Sequence, residues 1–291
     1  MNKPVNVNDL TVAVLGTGVM GAAIARNLQK NGFEVKAWNR SLDKAKALLD
    51  SDISVYEHAS DAVRGADIVL TMLTDGPAVL NAMKLALPAL AKGTIWIQSS
   101  TVGIEGNAEL EKFALDNGLK YYDAPVQGTK GPAEQGKLII IASGPNEDKD
   151  IAQGVFDAIG QRTVWVSDKP GESSKLKLAL NSWAFALTHG IAEALSIAEA
   201  LDVDPANIIE VVKGGPMDNM YFQLKSAAIL SGNFDASFSL DNAVKDANLV
   251  IDASKKAGVK VDGVEAGLAR FKRAQDAGHG DKDMAATYFA K

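Results

Sequence analysis

Lys177 and Asn181 stand four residues apart in a proline-free run from about Ser173 to Leu201. At 1.5 Å per residue that run makes a helix about 43 Å long, on which Lys177, Asn181, Ala184 and Thr188 share one face. This stripe is polar and small on an otherwise apolar rod. Burying a lysine disfavours its charged form and lowers its pKa, which turns an inert ammonium into a proton donor usable near neutral pH. Asn181, one turn on, can hold the amine or a substrate oxygen. A lysine near a helix start can equally snorkel to water, and the pattern alone does not choose.

Two loops offer partners for such a donor. Asp123-Ala-Pro-Val-Gln-Gly-Thr-Lys-Gly-Pro132 follows a strand-like segment and is rich in glycine, so its backbone N–H groups can converge on an anion; Gln127, Thr129 and Lys130 add donors. A turn rich in glycine and proline needs no function to exist, and that reading stands beside the first. Ser99-Ser100-Thr101 follows another strand and brings hydroxyls to the same end of the sheet.

The elements that position these groups begin at Thr11 to Leu15, a buried strand running into Gly16-Thr17-Gly18-Val19-Met20-Gly21 and an apolar helix from Ala22 to Gln29. Strand, G-x-G-x-x-G and helix in that order form a dinucleotide site: Gly16 for the tight turn, Gly18 for close approach of the pyrophosphate, Gly21 for helix against strand. The helix N-terminus presents its N–H groups to the phosphates. A second strand, Phe33 to Trp38, ends in Asn39-Arg40-Ser41, eighteen residues beyond Gly21 at Asn39. No carboxylate stands there to hold a ribose 2′-hydroxyl, and a cationic Arg40 welcomes a 2′-phosphate, so the expected cofactor is NADP(H). Met72-Leu73-Thr74, at the tip of the apolar strand Asp67 to Leu73, is assigned to the same cofactor site.

Further strands are expected at 94–98, 120–123, 138–142 and 163–166, and helices at 77–90 and 106–117. After Asp168-Lys-Pro-Gly171 the pattern turns to helices alone, at 173–201, after the N-cap pair Asp204-Pro205, and at 218–230, 240–257, 261–277 and 283–289. The fold class is therefore α/β: an N-terminal Rossmann doubly wound sheet over residues 1–167, then an all-α C-terminal domain over 168–291 with a long interdomain helix. A small apolar helical domain with so long a helix seldom covers its own surface, so a homodimer or higher homo-oligomer is expected.

Composition removes other classes. The net charge of −6 with dispersed basic residues argues against nucleic acid. Cysteine is absent, and His58, His189 and His279 lack ligand spacing, so no metal site is expected. Residues 1–10 have no apolar core for a signal peptide or anchor, and polar residues interrupt the long helix too often for a membrane span, so the protein is expected to be soluble and cytoplasmic.

Taken together, Gly16 to Gly21, Trp38-Asn-Arg-Ser41, Ser100-Thr-Val102, Asp123-Ala-Pro-Val-Gln-Gly128 with Pro132-Ala-Glu-Gln-Gly136, Lys177-Leu-Ala-Leu-Asn181, and Phe238 with Lys245-Asp246 resemble the β-hydroxyacid dehydrogenases. The chain is most similar to their glyoxylate and succinic semialdehyde reductases, over essentially its whole length. The resemblance implies hydride transfer from NADPH to the carbonyl carbon of a small aldehyde or keto acid, or the reverse oxidation of a β-hydroxy acid. It implies Lys177 as general acid or base and Asn181 as its orienting partner. It further implies Thr101 beside substrate and nicotinamide, Gln127, Gly128 and Thr129 as the substrate carboxylate cradle, Phe238 and Asp246 as residues closing the pocket, and Lys245 as a lysine reaching the cofactor. Charge developing on the carbonyl oxygen would be neutralised as it appears.

Two departures bear on the substrate. The family's cradle carries serine where this chain has the larger Gln127, and Asp241-Asn242 replaces a common Lys-His pair. An acidic side chain there would weaken attraction for an anionic substrate if it faced inward. Imine reductases share the N-terminal motifs but generally replace the lysine, and silent NADPH-binding relatives have lost it. Lys177 with Asn181 speaks against both.

Overall fold

A computed structural model describes residues 10–290; the leader reading of residues 1–10 therefore lies, Leu10 apart, outside the described residues. The chain divides into two compact units, one ending at Lys177 and the other starting at Leu178.

The first unit is a nine-stranded sheet among the described residues, flanked by helices. Its elements are β1 (Thr11–Leu15), α1 (Val19–Lys30), β2 (Glu34–Trp38), α2 (Leu42–Lys46), β3 (Ser54–Tyr56), α3 (Ala59–Val63), β4 (Ile68–Thr71), α4 (Gly76–Ala86), β5 (Ile95–Gln98), α5 (Gly103–Asp116), β6 (Lys120–Asp123), β7 (Val126–Gln127), α6 (Lys130–Glu134), β8 (Leu138–Ser143), α7 (Lys149–Ile159) and β9 (Gly160–Ser167). The order β3-β2-β1-β4-β5-β6-β8-β7, with β9 on β8, is parallel from β3 to β6, and β8 then runs antiparallel to β6 and β7. Successive residues of a strand face opposite sides of the sheet. Val12 and Val14 accordingly pack with Ile24, Leu28 and Ile97 in one core layer, and Ala13 and Leu15 with Val79, Met83 and Trp96 in the other. The strand order reverses between β1 and β4, where an open α/β sheet has its ligand crevice.

A single helix, α8 (Glu172–Ala200), carries the chain past the unit boundary. The second unit is helical: α9 (Ala206–Val212), α10 (Met220–Ser231), α11 (Leu240–Lys256) and α12 (Asp262–Ala274), closed by a short 3-10 turn at Met284–Phe289. Leu178, Phe185, Leu240, Val250 and Phe271 form its main core. No helix of the described residues is long and apolar enough to cross a membrane.

Local chemistry explains where the observed elements depart from expectation. The helix expected to reach residue 90 stops at Ala86, because Pro88 cannot donate to the preceding turn. The expected loop 123–132 contains β7 and the start of α6, and Asn27 of α1 seats the latter by donating to the Ala133 carbonyl at 2.7 Å. The short strand at 163–166 is eight residues long, stapled in parallel to β8. The last helix begins instead at a cap, where Asp283 accepts from the Ala285 N–H at 2.9 Å.

Candidate active site

The glycine loop separates what packing demands from what a ligand demands. A Cβ on Gly16 would fall 2.2 Å from the Met72 carbonyl oxygen, and one on Gly21 would fall 1.9 Å from the Gly16 carbonyl oxygen. These two glycines are dictated by the fold itself. Gly18 is different: its φ of −68° suits any residue, and a Cβ there would meet nothing within 4 Å. Neither backbone nor neighbours call for a glycine, so open space for an approaching group is the remaining reason. The N-terminal N–H groups of α1 face that space with no acidic residue in the first turn, and beside them the buried Thr17 hydroxyl has no partner. The residues present fit a dinucleotide pyrophosphate.

Around this loop, Asn39 is engaged internally. Its Oδ1 accepts from the Thr17 N–H at 3.1 Å and its Nδ2 donates to the Ser41 carbonyl at 3.0 Å, so it ties the glycine loop to the β2 tip. Arg40 and Ser41 stand exposed beyond it, as do Gly18 and Val19, while Met20 is half-buried. Met72 and Leu73 are half-buried and Thr74 exposed. The Leu73 N–H is held by the Ser100 hydroxyl at 2.8 Å, and Ser100 is in turn clasped by Gln98. Of the three hydroxyls at 99–101, Ser99 and Ser100 are buried and Thr101 is half-buried.

Lys177, in the second turn of α8, donates to Gln127 Oε1 at 3.1 Å. Both side chains are half-buried, as are Gly128 and Thr129 beside them, while Lys130 is exposed. Gln127 is held in place because β7 pairs it with Ile139 of β8. An ammonium therefore rests on an amide carbonyl oxygen, the same class of acceptor as a substrate carbonyl.

Beneath this contact lies a cluster that sequence reasoning missed. Asp123, at the end of β6 and fully buried, accepts from the Ser174 N–H at 2.9 Å, the Ser174 hydroxyl at 2.8 Å and the Ser173 hydroxyl at 2.8 Å. Ser143, its partner across β6 and β8, bonds Ser173 Oγ at 2.6 Å. Together they satisfy the N–H groups of Ser173 and Ser174 at the α8 N-terminus. Burial pushes the Asp123 carboxyl up to about 6, against the pull of these neutral donors. The signal for it was present: an Asp closing a strand, and a Ser-Ser pair opening the long helix.

In the second unit, Asp246 is buried and accepts from Asn181 Nδ2 at 2.9 Å and from Lys245 Nζ at 2.5 Å. It sets the orientation of both. Phe238 is half-buried in a segment whose N–H groups at Ser237 and Phe238 are held by Asp283. Asp241 is exposed and accepts from Gln275 Nε2 at 2.6 Å, so its charge is turned toward the chain's own C-terminal turn. Among the described residues no group of His, Cys, Asp and Glu could hold a metal ion.

A profile described as the NAD binding domain of 6-phosphogluconate dehydrogenase matches residues 11–167. A second, described as NAD-binding of NADP-dependent 3-hydroxyisobutyrate dehydrogenase, matches residues 171–290. The chain belongs to the β-hydroxyacid dehydrogenase family. It is an oxidoreductase of that family with a nicotinamide dinucleotide as cofactor. Glyoxylate/succinic semialdehyde reductase 1 of Arabidopsis thaliana is 29% identical over 280 residues, 95% of this chain and 96% of that one. Cytokine-like nuclear factor N-PAC of Anopheles gambiae is 28% identical over 99% of this chain, which spans only 51% of that relative's length. A 3-hydroxyisobutyrate dehydrogenase structure from Salmonella typhimurium has the same fold, with a TM-score of 0.90 at 23% identity, covering 97% of this chain and 100% of that one.

Proposed function

We propose that this β-hydroxyacid dehydrogenase uses NADPH to reduce the carbonyl of a small aldehyde or oxo acid of the glyoxylate or succinic semialdehyde type. The observation that carries the proposal is the 3.1 Å bond from Lys177 Nζ to Gln127 Oε1, in which the lysine donates a hydrogen bond to a carbonyl-type oxygen. When bound, the reduced nicotinamide supplies the hydride. Lys177 gives its proton to the carbonyl oxygen as the hydride reaches carbon, leaving an alcohol and a neutral amine; in oxidation it takes that proton back. Gln127, Gly128 and Thr129 receive the substrate carboxylate, with Thr101 beside the reacting carbon. From the second unit the same reading assigns Asn181 to orientation, Phe238 and Asp246 to the substrate, and Lys245 to the cofactor.

For the cofactor, residues Gly16 to Gly21 and Met72 to Thr74 take the dinucleotide, and Asn39, Arg40 and Ser41 its 2′-phosphate. Exposed Arg40 with no carboxylate at the strand tip supports NADPH over NADH. Self-association is part of the reading: Trp183 on α8, Val211 on α9 and Met220 on α10 are 64%, 84% and 74% exposed, a cost that a second copy would remove. An imine reductase and a dinucleotide-binding protein without turnover are the alternatives, and Lys177 with Asn181 opposes both.

One panel separates these. Carbonyl and imine substrates are offered with NADPH and NADH to wild type, Lys177→Ala and Arg40→Ala. Lys177→Ala should lose turnover and still bind NADPH; intact turnover would sink the proton-donor role. Arg40→Ala should raise KM for NADPH far more than for NADH, and equal effects on both would remove the 2′-phosphate reading.

A further inference from the structure

The geometry points to Asp123 as a positioning residue for Lys177: its buried carboxylate fixes the first turn of α8 against the cradle loop and so sets where the lysine delivers its proton. The inference rests on Lys177 as proton donor. The connection is a closed circuit within the first unit. Asp123 binds Ser173 and Ser174, which lie four and three residues before Lys177 and share its face of α8. Lys177 bonds Gln127, and Gln127 returns through Val126, Pro125 and Ala124 to Asp123. Ser143 closes the base of the circuit by bonding both the hydroxyl and, at 3.2 Å, the N–H of Ser173. Both ends of the lysine's contact are therefore referred to one carboxylate.

The bonds that Asp123 accepts at the start of α8 only offset the cost of its ionisation, so net stability does not single out a carboxylate here. The groups facing it are neutral: Ser173, Ser174 and the Gly171 N–H from the start of α8, Ser143 from β8, and Tyr121 from its own strand, whose phenol burial holds well above its ordinary range. No cation among the described residues pairs with it, and burial raises its pKa to about 6. An ionised carboxylate kept at a cost, one turn from the reacting group, is the pattern of a functional position. When Asp123 is protonated it loses acceptor capacity, and the turn bearing Lys177 loosens. In reduction the lysine acts in its protonated form, which acid favours, so a fall in reductive turnover toward acid pH belongs to Asp123 rather than to the lysine.

The test measures kcat in the reductive direction, with NADPH and carbonyl substrate saturating, from pH 5 to 8 for wild type and Asp123→Asn. Wild type should lose turnover below pH 6, approaching tenfold per pH unit, whereas Asp123→Asn should be flat there. At pH 7.5 the variant should already be slower by about a hundredfold, the scale of an ångström's misplacement of a reacting group. An acid limb retained in Asp123→Asn, or a kcat at pH 7.5 within about twofold of wild type, overturns the inference. Acetic anhydride labelling of each lysine, read by peptide mass spectrometry, reports on Lys177 without any turnover. Asp123→Asn should change the labelling rate of Lys177 several-fold and leave exposed lysines such as Lys130 unchanged; an unaltered Lys177 overturns the inference. If Lys177→Ala keeps its activity, the proton-donor reading fails, and the labelling arm still decides the positioning one. Should Asp123→Asn not fold, Ser174→Ala removes one donor and keeps the carboxylate; it should slow kcat and shift Lys177 labelling, and no change in both is decisive against.

Discussion

Two buried carboxylates, one in each unit, receive nearly the same number of donors and answer in opposite directions. Asp123 in the first unit is surrounded by hydroxyls and backbone N–H groups, and its pKa rises to about 6. Asp283 in the second is also buried, which by itself opposes its charge. Lys225 Nζ at 2.5 Å, the Ser237 hydroxyl at 2.5 Å and the Ala285 N–H outweigh that burial and hold it below the ordinary carboxylate range. Neutral donors soften desolvation without cancelling it; a buried cation reverses the balance. The first arrangement keeps a hard-to-ionise carboxyl beside the proposed reacting lysine. The second fastens the 237–238 segment to the start of the last turn and serves the fold.

The comparison breaks most visibly at Asp283. Asp283→Asn strands the Lys225 ammonium, whose side chain is only 8% exposed, and should destabilise the protein by about 3–5 kcal/mol in urea unfolding. A loss below about 1 kcal/mol would mean that the pair is no stronger than a surface one.

His189 extends the contrast to a base. Buried in contact with Phe271 and bonded to the Thr287 hydroxyl at 3.2 Å, it is lowered from 6.5 to about 4 by burial first and by Arg270 second. The unfolded chain takes up its proton below pH 6.5 while the folded chain resists until about 4, so the stability it contributes is present above 6.5 and lost as pH falls to 4. Between pH 7.5 and 4.5, wild type should lose about 3 kcal/mol more than His189→Gln in unfolding free energy. Parallel pH curves for the two proteins would contradict the burial of a neutral imidazole.

Asp123→Asn should produce the smallest change in stability. Because its folded pKa is raised, the carboxyl contributes stability below 3.8 that is lost as pH rises through about 6. At pH 7.5 the substitution removes an ionisation cost of about 3 kcal/mol and a set of acceptor bonds worth a similar amount, leaving a net change within about 1–2 kcal/mol. A large destabilisation at pH 7.5 would move Asp123 into the class of Asp283. Little change in stability with a large loss of kcat would keep the two apart.

The readable parts of the chain were those whose information is local. The glycine loop, the alternation of strands and helices through residue 167, the helical remainder and the Lys177–Asn181 spacing follow from periodicity and turn chemistry over a few residues. Short elements escaped: β3, β7 and α6 are two to five residues long and owe their existence to neighbours, β3 to β2, β7 to β8, and α6 to Asn27 of α1. The π-helical turn after Ala274, where Gly278 has a φ of +87°, ends the last helix short of the residue 277 expected from its pattern.

Sequence by itself determined the family, the cofactor class and the placing of Lys177 and Asn181 one helical turn apart, because motif order and helical spacing are properties of the chain. Only the tertiary structure decided what each of them touches. Asn39 faces the chain rather than standing open, Asp246 gathers Asn181 and Lys245, Asp241 turns to Gln275, and Asp123, fifty residues before Ser173, anchors the helix that bears Lys177. The physical reason is that a hydrogen bond or a desolvated charge depends on distances of about 3 Å between groups far apart in sequence, and no local pattern encodes them.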